Sequence, residues 1–157
     1  MPGETLLIGI AQLAVVIAGF TAITSALAPP DGSWGPGHRI RQRAVVSTSF
    51  NVMFESLLPL VAFYALGDAR EALVLASAVV ALYVAAIMVV RGRQFAGAGA
   101  LRTRGPLVML GASVISGSVF ALNALVFGSV AAFALGLCFQ LSVAAISFYT
   151  LVATASS

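Results

Sequence analysis

Apolar residues fall into five blocks along the chain, at roughly 5–28, 44–66, 72–91, 107–126 and 129–153. Each is close to the ~20 residues that an α-helix needs to cross a ~30 Å hydrocarbon layer. The pattern predicts an all-α, polytopic transmembrane helical bundle of five helices, with the whole chain forming a single transmembrane domain. The last two blocks are nearly continuous. A break between them is expected over Asn123 to Ser129, with Gly128 as the turn residue. Without that break the count falls to four helices.

Composition sharpens this picture. Of 157 residues, 61% are apolar and 8% charged, against about 45–50% and about 25% in a soluble domain. The first block is expected to be a retained helix rather than a signal peptide. "SALAPP" offers a small-x-small site, but "MPGET" carries an acid and no basic residue, and the apolar run exceeds the usual span of about 7–15 residues.

Charge orients the bundle. The basic residues are eight arginines, and there is no lysine. "PPDGSWGPGHRIRQR" holds Arg39, Arg41 and Arg43, and "RGRQFAGAGALRTRG" holds Arg91, Arg93, Arg102 and Arg104. With five crossings these two connections share one side. Only Arg70 lies in the connection on the other side, "GDARE". Positively charged loops stay in the cytoplasm, so the N-terminus is expected outside and the C-terminus inside, in a bacterial inner membrane. The seven clustered arginines are expected to meet anionic lipid headgroups rather than nucleic acid. Trp34 reads as an interfacial anchor, His38 as a solvated loop residue, and Cys138 as a small packed side chain without a disulfide partner.

One residue interrupts the second block. Glu55, in "NVMFESLLPL", has eleven residues of the 44–66 block on either side and is expected near the bilayer midplane. An ionised carboxylate there costs at least about 2.5–3.5 kcal/mol. At helical spacing Thr48, Asn51, Glu55, Pro59 and Ala62 share one face, with Phe50, Met53, Leu57 and Leu60 on the other. The acid therefore turns away from lipid. Pro59 has no N–H for the carbonyl of Glu55, so carboxyl and carbonyl oxygens gather beside Asn51. Gln140 and Ser116 lie at matching depth and have hydrogens to donate.

Two readings of this set stand side by side. Glu55, Asn51, Pro59, Gln140 and Ser116 form a site for a proton or small cation, or a protonated Glu55 is a structural clasp within a non-transporting membrane subunit. No phosphate-binding loop, nucleophile elbow, HExxH or Cys/His cluster is present, so no enzyme activity, metal or cofactor is expected. Small residues recur every fourth position: Ala18, Ala22 and Ala26; Ser113, Gly117 and Ala121; Ala132 and Gly136. They are expected to pack helices within or between subunits of a homo-oligomer.

Three pieces, "ETLLIGIAQLAVVIAGFTAITSAL", "RIRQRAVVSTSFNVMFESLLPL" and "AAFALGLCFQLSVAAISFYTLV", together resemble a group of short, functionally uncharacterised bacterial polytopic membrane proteins. The resemblance spans most of the chain and implies no activity. Basic residues followed by a helix with a single glutamate are also similar to the pore helix of Orai-type calcium channels, over that helix alone.

Overall fold

The computed structural model describes residues 1–26, 36–97 and 104–155. Nearly all of them are helical: α1 (Glu4–Ala26), α2 (Pro36–Leu66), α3 (Ala69–Gly97), α4 (Arg104–Leu122), a π-helical turn (Asn123–Phe127) and α5 (Val130–Ala155). Among the described residues, four stretches are long and apolar enough to cross a membrane: Glu4–Thr24, Gln42–Leu66, Ala69–Val90 and Val130–Tyr149. A fifth apolar helical stretch, Gly111–Phe127, is shorter.

The helix ends follow local chemistry. α2 opens with Pro36 at its first position, where the missing N–H costs nothing. It closes on Gly67, whose φ of +75° suits a residue without Cβ and whose N–H bonds the Phe63 carbonyl at 2.8 Å. Asp68 then caps α3, its Oδ1 accepting from the Glu71 N–H at 2.8 Å. At the other tight link Gly128 takes φ +55° and donates to the Asn123 carbonyl at 2.7 Å, while the Ser129 hydroxyl accepts from the Ala132 N–H to start α5. The expected break at Asn123–Ser129 is thus present, built as a π-turn followed by a two-residue link.

Two helices run longer than the apolar blocks. α2 begins eight residues before 44 and α3 continues six residues past 91. Arg39, Arg41 and Arg43 therefore sit on the first turns of α2, and Arg91 and Arg93 on the last turns of α3, rather than in loops. Hydropathy ends at a charge, whereas helical hydrogen bonding does not, and arginine and glutamine are good helix formers. α1 is described to Ala26, and the last two residues of the 5–28 block lie outside the described residues. Trp34 and Arg102 lie outside the described residues, as do the side chains of His38, Arg39, Arg41, Arg91 and Arg104.

Each helix packs on its neighbour in sequence, and α1 closes the ring on α5. α2 also packs across on α5, so these two form the centre. Contacts such as Asn51 with Tyr83, Ser77 with Asn123 and Glu55 with Gln140 fix the antiparallel course of α2, α3, α4 and α5. The ends of α1 and α3 and the starts of α2 and α4 therefore share one end of the bundle with the end of α5.

Inside, Leu7, Val52, Leu73, Val80, Phe120, Phe133 and Leu137 make one continuous core. The rings of Phe120 and Phe133 meet edge to face at 5.1 Å. Gly136 makes room for this pair, since a Cβ there would lie 2.8 Å from Phe120. The outside is equally oily, with Leu13, Phe54, Tyr64, Leu82, Leu125 and Ile146 exposed, Leu125 by 83%. A surface this apolar belongs in lipid rather than water.

Some expected faces differ. On the face opposite Glu55, expected to meet lipid or a neighbouring helix, Met53 and Leu60 pack against the core and Phe50 is exposed, as α2 has neighbours on three sides. In α1 the buried small residues are Ala11, Ala14 and Ala18, whereas Ala22 and Ala26 are exposed. Cys138 is exposed rather than packed, since α5 turns that side outward.

Gly136→Leu is expected to displace Phe120 and lower stability by about 1–3 kcal/mol, as overpacked cores do. Gly111→Leu, at a glycine with open space around it, is expected to be nearly neutral. Thermal unfolding of both variants in detergent checks this.

Candidate functional site

Glu55 is carried by the central helix and is 6% exposed. It lies 13 residues from Gln42 and 11 from Leu66 within the α2 span. The most fully buried α2 positions, Val45, Ser49, Val52, Ser56 and Pro59, follow a spacing of four and three, and Glu55 flanks this seam. The expected inward face is therefore correct for Glu55 and Pro59. Thr48, Asn51 and Ala62 lie beside it, half-buried.

Gln140 on α5 organises the site. Its Nε2 donates to Glu55 Oε2 at 2.9 Å and to Ser116 Oγ on α4 at 3.1 Å. One amide thus joins α2 and α4, which do not pack on each other among the described residues. Glu55 thus meets Gln140 as expected, and Ser116 joins the pair through Gln140. Among the described residues no arginine pairs with Glu55, so its carboxyl relies on hydrogen bonds alone.

Asn51 has a different partner. Its Oδ1 accepts from the Tyr83 hydroxyl on α3 at 3.1 Å. Sequence reasoning missed Tyr83. The available signal was a phenol seven residues from the end of the α3 span, at the depth of Asn51 on the antiparallel neighbour. Pro59 supplies no N–H to the Glu55 carbonyl, as its covalent structure requires, while the Ser56 hydroxyl bonds the Met53 carbonyl at 2.8 Å.

The separation of α2 from α4 leaves space on the arginine-bearing side of this cluster. A recess of about 60 Å³ is lined by Thr48, Asn51, Glu55, Tyr83, Ser113 and Gln140, among others. A second of the same volume shares Thr48, Ser113 and Gln140 and reaches Ala44 and Ser147 near the helix ends. Each has room for a few waters, and the polar lining supplies the partners that such waters need.

One helical turn further in, the lining changes. Pro59 on α2, Val80 on α3, Phe120 on α4 and Leu137 on α5 are all buried and carry no side-chain polar atom. Beyond them a second polar cluster closes the far end. Asn123, fully buried, donates to Ser77 Oγ at 2.8 Å and accepts from the Ser129 N–H at 2.9 Å. Ser116 and Asn123 are seven residues apart on one helix, so about 10 Å of apolar packing separates the two clusters.

Of the arginines assigned to lipid headgroups, Arg43 and Arg93 are exposed at the end where the recesses lie. Among the described residues no group of three or more metal-ligating side chains occurs. Comparison with protein-family models, curated proteins and solved structures finds no match. The functional reading therefore rests on the chemistry of this site.

Gln140→Leu is expected to strand the Glu55 carboxyl and cost about 1–3 kcal/mol, the penalty for a buried polar group without its partner. A double-mutant cycle with Glu55→Leu should return a coupling of at least about 0.5 kcal/mol. Denaturation in detergent of the two single variants and the double variant measures both.

Proposed function

We propose that this protein is a small, oligomeric membrane protein that passes protons or small cations, with Glu55 as the binding or relay group near the bilayer midplane. The observation that carries the reading is a buried carboxyl that meets an amide and a polar recess instead of a cation. Intramembrane acids of this kind mark ion or proton paths more often than they serve as glue. Gln140 orients the carboxyl, Ser116 anchors Gln140, and Asn51 with Tyr83 lines the approach. The carbonyl of Glu55, without an N–H from Pro59, adds an oxygen to the same region. The reading assigns no catalytic step.

The arginine-bearing end is assigned to the cytoplasm by the positive-inside rule, with the N-terminus outside, in a bacterial inner membrane. Arg43 and Arg93, exposed there, would contact anionic headgroups.

A second reading follows from the amide that ties α2 to α4. In it Glu55, Gln140 and Ser116 are a clasp in a non-transporting subunit, and the recess is a packing gap.

Flux separates the two. In liposomes loaded with a pH-sensitive dye, Glu55→Gln is expected to abolish proton or cation uptake while leaving the fold and assembly intact. Uptake equal to the unaltered protein would end the transport reading. Glu55→Ala weakening the assembly while Glu55→Gln is neutral would establish the clasp.

A further inference from the structure

Gln12 has no place in the site just described. It lies within the α1 span Glu4–Thr24, it is exposed, and among the described residues its side chain makes no hydrogen bond. A carboxamide in hydrocarbon has two N–H donors and an oxygen to satisfy, and lipid tails offer nothing. Glutamine is too short to reach a headgroup from two residues off the centre of that span. A second protein surface at the same depth would supply the partners that lipid does not.

The sequence around Gln12 describes that surface. Thr5, Gly9, Gln12, Val16, Gly19 and Ile23 follow each other at spacings of four, three, four, three and four. This is the 3.5-residue period of a left-handed helix pair. Every one of the six is exposed, on the side of α1 turned away from its own bundle. At Gly9 and Gly19, on either side of Gln12, an added Cβ would meet nothing within 4 Å. Small residues at these positions let a second backbone come close.

We infer that this stripe is the contact between two copies of the chain, paired in parallel through α1, with Gln12 of each donating to Gln12 of the other. All copies enter a membrane in one orientation, so a two-fold axis along the bilayer normal sets the two residues at equal depth. A carboxamide is its own complement, and the pair makes N–H···O bonds in both directions. No other surface is guaranteed to present the matching group at that height. α1 lines neither recess, so each subunit keeps its own Glu55 site, away from the axis. The pairing does not depend on what Glu55 does.

The test uses the full chain in bilayers with Cys138→Ser, which removes the one native thiol. Single cysteines at Val16 and at the off-seam positions Leu13 and Val15, all exposed, are treated with an oxidant. Dimer is expected from Val16→Cys and little from the other two. In a fluorescence-transfer titration, Gln12→Leu should raise the dimer dissociation constant about threefold to thirtyfold, the effect of an interhelical hydrogen bond of ~0.6–2 kcal/mol. Gln12→Asn should restore much of it. Gly9→Leu, which wedges the seam apart without touching Gln12, should weaken pairing as well. Equal cross-linking at all three positions, a Gln12→Leu dimer as tight as the original, or a monomer at every density would each overturn the inference. So would a cross-link from Val16→Cys to a different protein with none between copies.

Discussion

A carboxyl group in hydrocarbon must find its hydrogen bonds within the protein that carries it, because lipid supplies none. In this chain Glu55 lies within the apolar α2 span, is 6% exposed, and takes its hydrogen bond from Gln140 on α5. α2 becomes the central helix, since only a helix with neighbours on several sides can surround an acid. α5 lies across it to bring Gln140 within 2.9 Å of the carboxyl. The same amide reaches Ser116, so α4 is held to α2 without packing on it. Space left by that indirect attachment is the recess beside Glu55.

The rest of the bundle insulates this polar layer. Phe120, Phe133, Leu137 and Val80 fill the interior beyond it at full packing, and Gly136 is the residue that admits the Phe120 ring. At the far end Asn123 satisfies both faces of its amide through Ser77 and Ser129, and the π-turn and Gly128 shape the backbone that allows this. The result is two hydrogen-bonded layers and one apolar layer between them. The layer with the carboxyl borders open space, whereas the layer with the amide is fully used in structure. The Asn123 amide is thus spent on joining the π-turn to α3 and α5, while the Glu55 carboxyl keeps a recess beside it.

Much of the arrangement was legible in the residues. Depth counting along antiparallel helices brought Glu55, Gln140 and Ser116 together, because helical rise converts sequence number into height. Gly128 was legible as a turn because the apolar run exceeded one crossing. The arginine-bearing helix ends were not, since the hydropathy of a block stops at Arg43 and Arg91 while the helices continue. Tyr83 was missed because a tyrosine in an apolar helix reads as packing until a partner is found at its level. Asn123 was read only as a boundary, although an amide in such a place has to be satisfied too. Periodicity left open whether Met53 and Leu60 meet lipid or a neighbouring helix, because it does not record how many neighbours surround α2. The outward turn of Cys138 follows from how α5 is rotated against α2 and α4, which periodicity in an all-apolar segment does not record.

The central claim is that the Glu55 carboxyl is held by Gln140 inside the bundle and away from acyl chains. Solid-state NMR of the protein in lipid bilayers, with the glutamate side-chain carboxyl carbon and the glutamine side-chain nitrogen labelled, tests it directly. The account predicts a dipolar contact between them matching a 2.9 Å nitrogen–oxygen separation, lost in Gln140→Leu. A Glu55 carboxyl with no glutamine contact and with strong transfer from lipid acyl protons would contradict it.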